Sequence, residues 1–265
     1  MKLAVVGKDV SKSVSPQIHN FIASKLNKRI SYDKISVPEI EFESRIESIL
    51  SEYDGLNFTI PYKLTVIPHL ERLAGDAKTF GAVNTVNTKD LAGYNTDGLG
   101  FMLMLKNNGV VTDGKKYLVI GAGGAGRSVA KKLLDGGAEV YVYDKNAENA
   151  RRVAAEFEGV TCLDEIAPYD YYGIVNASGV GMHSTEGISP VGEELISRCE
   201  VAIDLIYVPK KSEFLRIAES LNKKIINGEA MLFYQAYFAD CIYFNLIPDD
   251  GEAKKLFEEF TKEQL

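Results

Sequence analysis

The chain has 265 residues, 46% hydrophobic and 25% charged, enough for one large domain or two modest ones with cores of their own. Its formal net charge of -7 excludes an overall basic footprint for nucleic acid or an anionic membrane surface. The three cysteines, Cys162, Cys199 and Cys241, form no CxxC, and the three histidines, His19, His69 and His183, show no ligand spacing, so the expectation is a reduced, cytoplasmic protein without a disulfide framework or a metal.

Short apolar runs alternate with amphipathic stretches, the pattern of a mostly parallel sheet covered by helices, so the fold class is α/β. The opening run Leu3-Ala4-Val5-Val6 is too short for a signal peptide or membrane span and predicts a buried strand. Ser15-Pro16 offers an N-cap and a first-turn proline to a helix carrying Ile18, Phe21, Ile22 and Leu26. Residues 30–37 predict a strand, and Phe42, Ile46, Ile49 and Leu50 share one helix face. Residues 55–59 predict the next strand, after which Pro61 opens a further helix. A strand over residues 82–86 precedes a helix that starts near Asp97 and stops at Asn107-Asn108-Gly109. Residues 117–143 read as a βαβ block, with a glycine-rich turn and a helix over 128–134 between two apolar strands. Further strands are expected at 173–176, 201–205 and 224–226, and helices over 229–244 and 251–262. No internal repeat or low-complexity tract interrupts this order.

Gly121-Ala122-Gly123-Gly124-Ala125-Gly126 follows an apolar strand and precedes a helix, with Asp144 at the end of the next strand. In that setting the glycines permit a tight turn and bring backbone N–H groups close to a pyrophosphate at a helix N-terminus. S-adenosylmethionine enzymes also use a glycine-rich first turn followed by an acid, so this block alone leaves two nucleotide classes open. Asp144 can accept hydrogen bonds from the ribose hydroxyls of NAD, and its charge repels the 2'-phosphate of NADP; Lys145 pulls the other way.

Outside that block the chemistry candidates are polar residues at strand ends and turns. Ser11, Ser13 and Ser15 cluster after the first strand, where two hydroxyls and a helix N-terminus suit a carboxylate. Asn57 and Thr59 alternate on one strand face leading into Pro61-Tyr62-Lys63, and Asn84 lies in another predicted strand. By spacing alone Lys63 is a solvated lysine at a helix start and Asp97 a helix cap.

Together these segments resemble one family. Ser13-Val14-Ser15-Pro16 with His19-Asn20 is similar to the SxSP and HN start of the shikimate dehydrogenases. Residues 55–63 (GLNFTIPYK) resemble their GxNVTxPxK, residues 81–85 their GAVNT, residues 93–98 (GYNTDG) their GxNTDG, and GAGGAGR their GAGGAxR. Asn176-Ala177-Ser178 with Gly181-Met182, Asp204 to Tyr207 with Pro209, and Gly228 to Gln235 resemble NxTxxGM, DxxYxP and GxxMLxxQ. The match is colinear over nearly the whole chain.

The resemblance implies reversible NAD(P)H-dependent reduction of 3-dehydroshikimate to shikimate, with Lys63 and Asp97 catalytic. It implies that Ser13 and Ser15 bind the substrate carboxylate, that Thr59, Asn84, Tyr207 and Gln235 contact ring hydroxyls or carboxylate, and that Asn57 supports that wall. Lys63 would protonate the developing alkoxide and Asp97 would orient Lys63 and a substrate hydroxyl. Cofactor contacts fall to Gly121, Ala122, Gly123, Gly124, Ala125, Gly126, Asp144, Lys145, Ala177, Ser178, Leu205, Gly228 and Met231. The implied architecture is a substrate lobe over 1–100, completed by 229–265, and a Rossmann-type lobe over 101–228. NADP is the family default, but Asp144-Lys145-Asn146 replaces the usual Asn-Arg-Thr, and Asn149 stands where a later arginine is usual, so NAD or dual use is also expected. Ser178 replaces a threonine, and Tyr243 or Phe244 stands near a usual tryptophan. The partners implied are small molecules, without nucleic acid or membrane, for a monomer or homodimer. The alternatives are an NAD-dependent quinate/shikimate dehydrogenase and a non-catalytic nucleotide-binding relative; a methyltransferase would leave the motifs before residue 100 unexplained.

Overall fold

The computed structural model describes residues 1–263. Two compact units are present: Met1–Leu103 together with the chain from Phe233 onward, and Met104–Leu232. The chain runs through β1 (Lys2–Gly7), α1 (Ser15–Lys25), β2 (Ser31–Ser36), α2 (Phe42–Glu52), β3 (Gly55–Phe58) and the single-turn α3 (Tyr62–Thr65). It continues through β4 (Arg72–Leu73), α4 (Asp76–Phe80), β5 (Thr85–Asn87), β6 (Ala92–Tyr94) and α5 (Asp97–Asn107). Then follow β7 (Lys116–Ile120), α6 (Gly124–Asp135), β8 (Glu139–Tyr143), α7 (Ala147–Glu156), β9 (Val160–Leu163), β10 (Gly173–Asn176) and α8 (Glu193–Ser197). The last elements are β11 (Val201–Asp204), α9 (Glu213–Ser220), β12 (Lys224–Ile226), α10 (Glu229–Phe244) and α11 (Asp250–Glu263). No helix among the described residues is long and apolar enough to cross a membrane.

In the first unit the sheet order is β2-β1-β3-β5-β6-β4. β1 pairs parallel with β2 and β3, whereas β5 runs antiparallel to both β3 and β6. Successive side chains of a strand point to opposite faces, and both faces of β1 are covered, which explains its unbroken apolar run. Ala4 and Val6 join Phe42, Ile46 and Ile49 of α2 in one core, while Leu3 and Val5 join Tyr32 and the α10 residues Ala239 and Tyr243 in another.

The second unit carries a sheet ordered β12-β11-β10-β7-β8-β9, with every pair parallel. The chain starts at the centre, builds outward to β9, then returns to build the other half from β10. The point between β7 and β10, where strand order reverses, is where such sheets leave a crevice at their C-terminal ends. Its core joins Leu118, Ile120 and Ile174 of the strands to Phe214, Leu215 and Ala218 of α9.

Three local expectations change. Ser15 is the first residue of α1, with Val14 at the N-cap and no side-chain cap bond from it. Ser13 instead turns its Oγ to accept the Ser15 N–H at 3.2 Å, which leaves the Ser15 hydroxyl free of cap duty. Asn84 lies just before β5, because Val83 donates its N–H to the Lys63 carbonyl at 2.7 Å before pairing with β6 takes over. Helix α6 begins on Gly124, so half of the glycine turn is already helix.

Candidate active site

Eight of the residues singled out for chemistry lie in the first unit: Ser13, Ser15, Asn57, Thr59, Lys63, Asn84, Asp97 and Gln235. Lys63 sits in α3, one turn opened by Pro61, and its Nζ donates to Asp97 Oδ2 at 2.6 Å. Asp97 opens α5, and its other oxygen accepts from Asn84 Nδ2 at 2.8 Å. The pair is mostly shielded, with side-chain exposures of 21% for Lys63 and 10% for Asp97. A carboxylate that receives an ammonium on one oxygen and an amide on the other is fixed in plane, and it fixes the ammonium in turn.

Asn84 is itself clamped. Its Oδ1 accepts the Thr96 backbone N–H at 2.9 Å and the Thr85 hydroxyl at 2.9 Å, while its Nδ2 reaches Thr96 Oγ1 at 3.0 Å and Gln235 Oε1 at 3.3 Å. Gln235 comes from α10, so this helix returns to the site as well as to the core. The Asn57 amide, buried on β3, donates to the Asn84 carbonyl and to Thr85 Oγ1, both at 3.2 Å. Thr59 follows β3 and accepts the Tyr62 N–H on its carbonyl at 2.8 Å, shaping the turn into α3. Ser13 donates to Ser15 Oγ at 3.0 Å; Ser11 is exposed and its N–H bonds Asp9 instead. One edge of this unit therefore presents hydroxyls, amides, one ammonium and one carboxylate, a set suited to a polyhydroxylated acid with a reacting oxygen at Lys63.

Five residues in and behind this network were not given roles by the sequence. Thr85, Asn95 and Thr96 sat inside recognised motifs, and Asn95 Oδ1 accepts the Asp97 N–H at 3.1 Å. Tyr32, the buried aromatic of β2, donates to Asn57 Oδ1 at 2.7 Å. Asp240 carried a visible signal, a carboxylate inside an otherwise apolar stretch of α10; it pairs with His19 at 2.7 Å and is fully buried. Burial pushes the Asp240 carboxyl up from its ordinary range, and His19 opposes that shift.

In the second unit the remaining candidates gather at the C-terminal ends of the strands. Gly121 follows β7 with φ +99°, and a Cβ there would meet the Ala177 and Ser178 backbone at 2.7 Å, so only glycine lets the turn pack against that segment. Gly123 and Gly124 face open space, with nothing within 4 Å of a built Cβ. Ala125 and Gly126 continue the first turn of α6, whose leading N–H groups have no helical acceptor. A backbone cradle of this kind fits a dinucleotide pyrophosphate.

Asp144 follows β8. Its Oδ2 accepts the Ala122 N–H at 2.7 Å and its Oδ1 the Asn146 N–H at 2.9 Å, so the carboxylate braces the glycine turn. Lys145 is exposed. Ser178 caps its own loop, donating to Asn176 Oδ1 at 2.7 Å, and Asn176 Nδ2 bonds Asp204 at 3.1 Å. Leu205 and Gly228 touch, since a Cβ on Gly228 would lie 2.1 Å from the Leu205 carbonyl oxygen. Met231 is buried in the first turn of α10, and the Tyr207 hydroxyl is pushed up from its ordinary pKa by burial. Among the described residues no three His, Cys, Asp or Glu side chains gather as a metal site.

This strand order with a glycine turn at the reversal point defines a Rossmann-type nucleotide-binding protein, joined in one chain to a unit carrying a lysine–carboxylate centre. The chain belongs to the shikimate dehydrogenase family. Residues 5–86 match the model of the shikimate dehydrogenase substrate binding domain, and residues 104–191 that of shikimate / quinate 5-dehydrogenase. It is 38% identical to a shikimate dehydrogenase (NADP(+)) of Carboxydothermus hydrogenoformans, over 89% of this chain and 88% of that one. Among solved structures it resembles shikimate dehydrogenase 1 of Peptoclostridium difficile, with TM-score 0.89 and 32% identity over 100% of this chain and 99% of the other. The Thermus thermophilus enzyme, solved with NADP(H) and shikimate, aligns with TM-score 0.87 and 33% identity over 98% of this chain and 99% of that one.

Proposed function

We propose that this protein is a shikimate dehydrogenase that reversibly reduces the ketone of 3-dehydroshikimate to the alcohol of shikimate with NADP(H), a step of aromatic amino-acid biosynthesis. The observation that carries the reading is the contact of Lys63 with Asp97, clamped by Asn84, in a chain of this family. In this reading Met1–Leu103 with the chain from Phe233 onward is the substrate unit, and Met104–Leu232 the cofactor unit.

Bound NADPH supplies the hydride. Lys63 holds a proton against the carbonyl oxygen, stabilises the alkoxide as charge develops there, and delivers the proton; in the oxidative direction it receives it. Asp97 positions the ammonium and accepts from a neighbouring substrate hydroxyl. Ser13 and Ser15 donate to the substrate carboxylate, while Thr59, Asn84 and Gln235 hold the ring, with Asn57 behind them. Gly121 to Gly126 hold the pyrophosphate, and Ala177, Ser178, Leu205, Gly228 and Met231 line the cofactor cleft. The reading includes a cytoplasmic protein that works on small molecules as a monomer or homodimer.

A second cofactor reading is favoured by one observation. The Asp144 carboxylate lies at the end of β8, where a ribose 2'-phosphate would meet its charge, and Lys145 stands beside it exposed to solvent. Dual use of NAD and NADP follows from that pairing. The test is absorbance at the reduced-nicotinamide band with shikimate or quinate, each with NAD+ or NADP+. Turnover of shikimate with NADP+ is expected; turnover of quinate alone, or of neither acid, overturns the proposal.

A further inference from the structure

Hydrogen-bond direction in the first unit is fixed by groups that have no choice. The Asn84 carbonyl can only accept, so the Asn57 amide must turn its Nδ2 toward it and its Oδ1 toward Tyr32. Tyr32 must therefore donate. At the other end Thr96 N–H fixes Asn84 Oδ1 as acceptor, so Thr85 donates to it and Asn84 Nδ2 points at Asp97. The result is one polarised chain of donors: Tyr32, Asn57, Thr85, Asn84 and finally the Asp97 carboxylate. In a shielded interior each bond of such a chain strengthens its neighbours.

Tyr32 is the first donor of this chain and fixes the orientation of the Asn57 amide. Its ring is held by stacking on His19 at 4.4 Å between centroids, and His19 is locked in turn by Asp240. Burial and the Asp240 charge keep the phenol well above its ordinary pKa, so the hydroxyl stays a neutral donor.

We propose that Tyr32 is a positioning residue for substrate, one that fixes the Asn57 amide and, through it, the Thr85 and Asn84 groups that clamp Asp97, so that the substrate ring is held with its reacting oxygen at Lys63. This rests on the reading of the first unit as the shikimate-binding unit.

Tyr32→Phe removes one oxygen and keeps the stacked ring. The expected result is a rise of about 10-fold in the KM for shikimate, matched by calorimetric shikimate affinity, with kcat within about 3-fold of the parent and NADP+ affinity unchanged. In an Asn57→Ala background the same change should cost less than about 2-fold further, because its target is gone. A merely structural tyrosine would lower the melting temperature without this split between KM and kcat. A parent-like KM in Tyr32→Phe, or effects that multiply fully in the double variant, overturns the role of Tyr32. A parent protein that neither turns over nor binds shikimate overturns the functional reading itself, and this inference with it.

Discussion

Asp97 is held on three sides, by Lys63 on one oxygen, Asn84 on the other, and Asn95 at its own backbone N–H. In the proposed role Lys63 is the proton donor, so Lys63→Ala is expected to lower kcat by about 10²-fold or more with a modest change in KM. Single-turnover and steady-state rates with shikimate check this, and near-native turnover removes Lys63 from its role. Asp204 supports a different prediction. Burial raises its carboxyl pKa, opposed by bonds from Ser212, the Ile206 N–H and Asn176. The native state thus holds that proton more tightly than the unfolded chain does. Its stabilising contribution is full below the unfolded value near pH 4 and is lost as pH rises through the folded value. The melting temperature of the parent minus that of Asp204→Asn should therefore fall as pH rises above about 4; a flat or rising difference contradicts the assignment.

At the scale of elements, Asp144 at the end of β8 accepts two backbone donors, Ala122 of the glycine turn on one oxygen and Asn146 at the start of α7 on the other. An asparagine offers only one carbonyl oxygen, so Asp144→Asn must leave one donor poorly served. We expect it to raise the NADP+ over NAD+ ratio of kcat/KM by about 5-fold or more through loss of charge, and to destabilise the protein by about 1 kcal/mol through the lost bond. Thermal melts and paired kinetics measure both, and an unchanged cofactor ratio would show that the charge does not reach the ribose. The glycine turn, β1, β7, β10 and α10 were legible because apolar runs and glycine spacing report local geometry directly. The short edge strands β4 and β9 were not, since each has few inward side chains to mark a period. Lys63 and Asp97 were legible only through motif resemblance: a lysine after a proline and an acid at a helix start look the same whether solvated or paired. Tyr32 was hidden for a related reason, because its donor role depends on Asn57, a partner 25 residues away in sequence.

At the scale of the molecule, the two units differ in how the chain completes them. Met104–Leu232 is one continuous segment with its own sheet and core. The first unit needs α10, whose Ala239 and Tyr243 close the core around Leu3, Val5 and Tyr32. A fragment spanning residues 104–232 should therefore fold cooperatively and gain thermal stability with NADP+, by about 2.7 kcal/mol at a hundredfold excess over Kd. A fragment ending at Leu103 should expose that apolar face, bind a hydrophobic dye and fail to melt cooperatively. A cooperative melt of the shorter fragment would mean that α10 is dispensable to its core.

That broken first unit has a temporal side. During synthesis 129 residues (104 to 232) must be added between Leu103 and the first residue of the returning segment. At about 5–20 residues per second this is roughly 6–26 s in which β1 and β2 wait with one face uncovered. The second unit can be finished on the ribosome while the first is still half built, so the unit with the glycine turn is ready before the unit that carries Lys63 and Asp97. Any factor that shields nascent apolar surface would have its target here, on Leu3, Val5 and Tyr32, and would be released when α10 arrives.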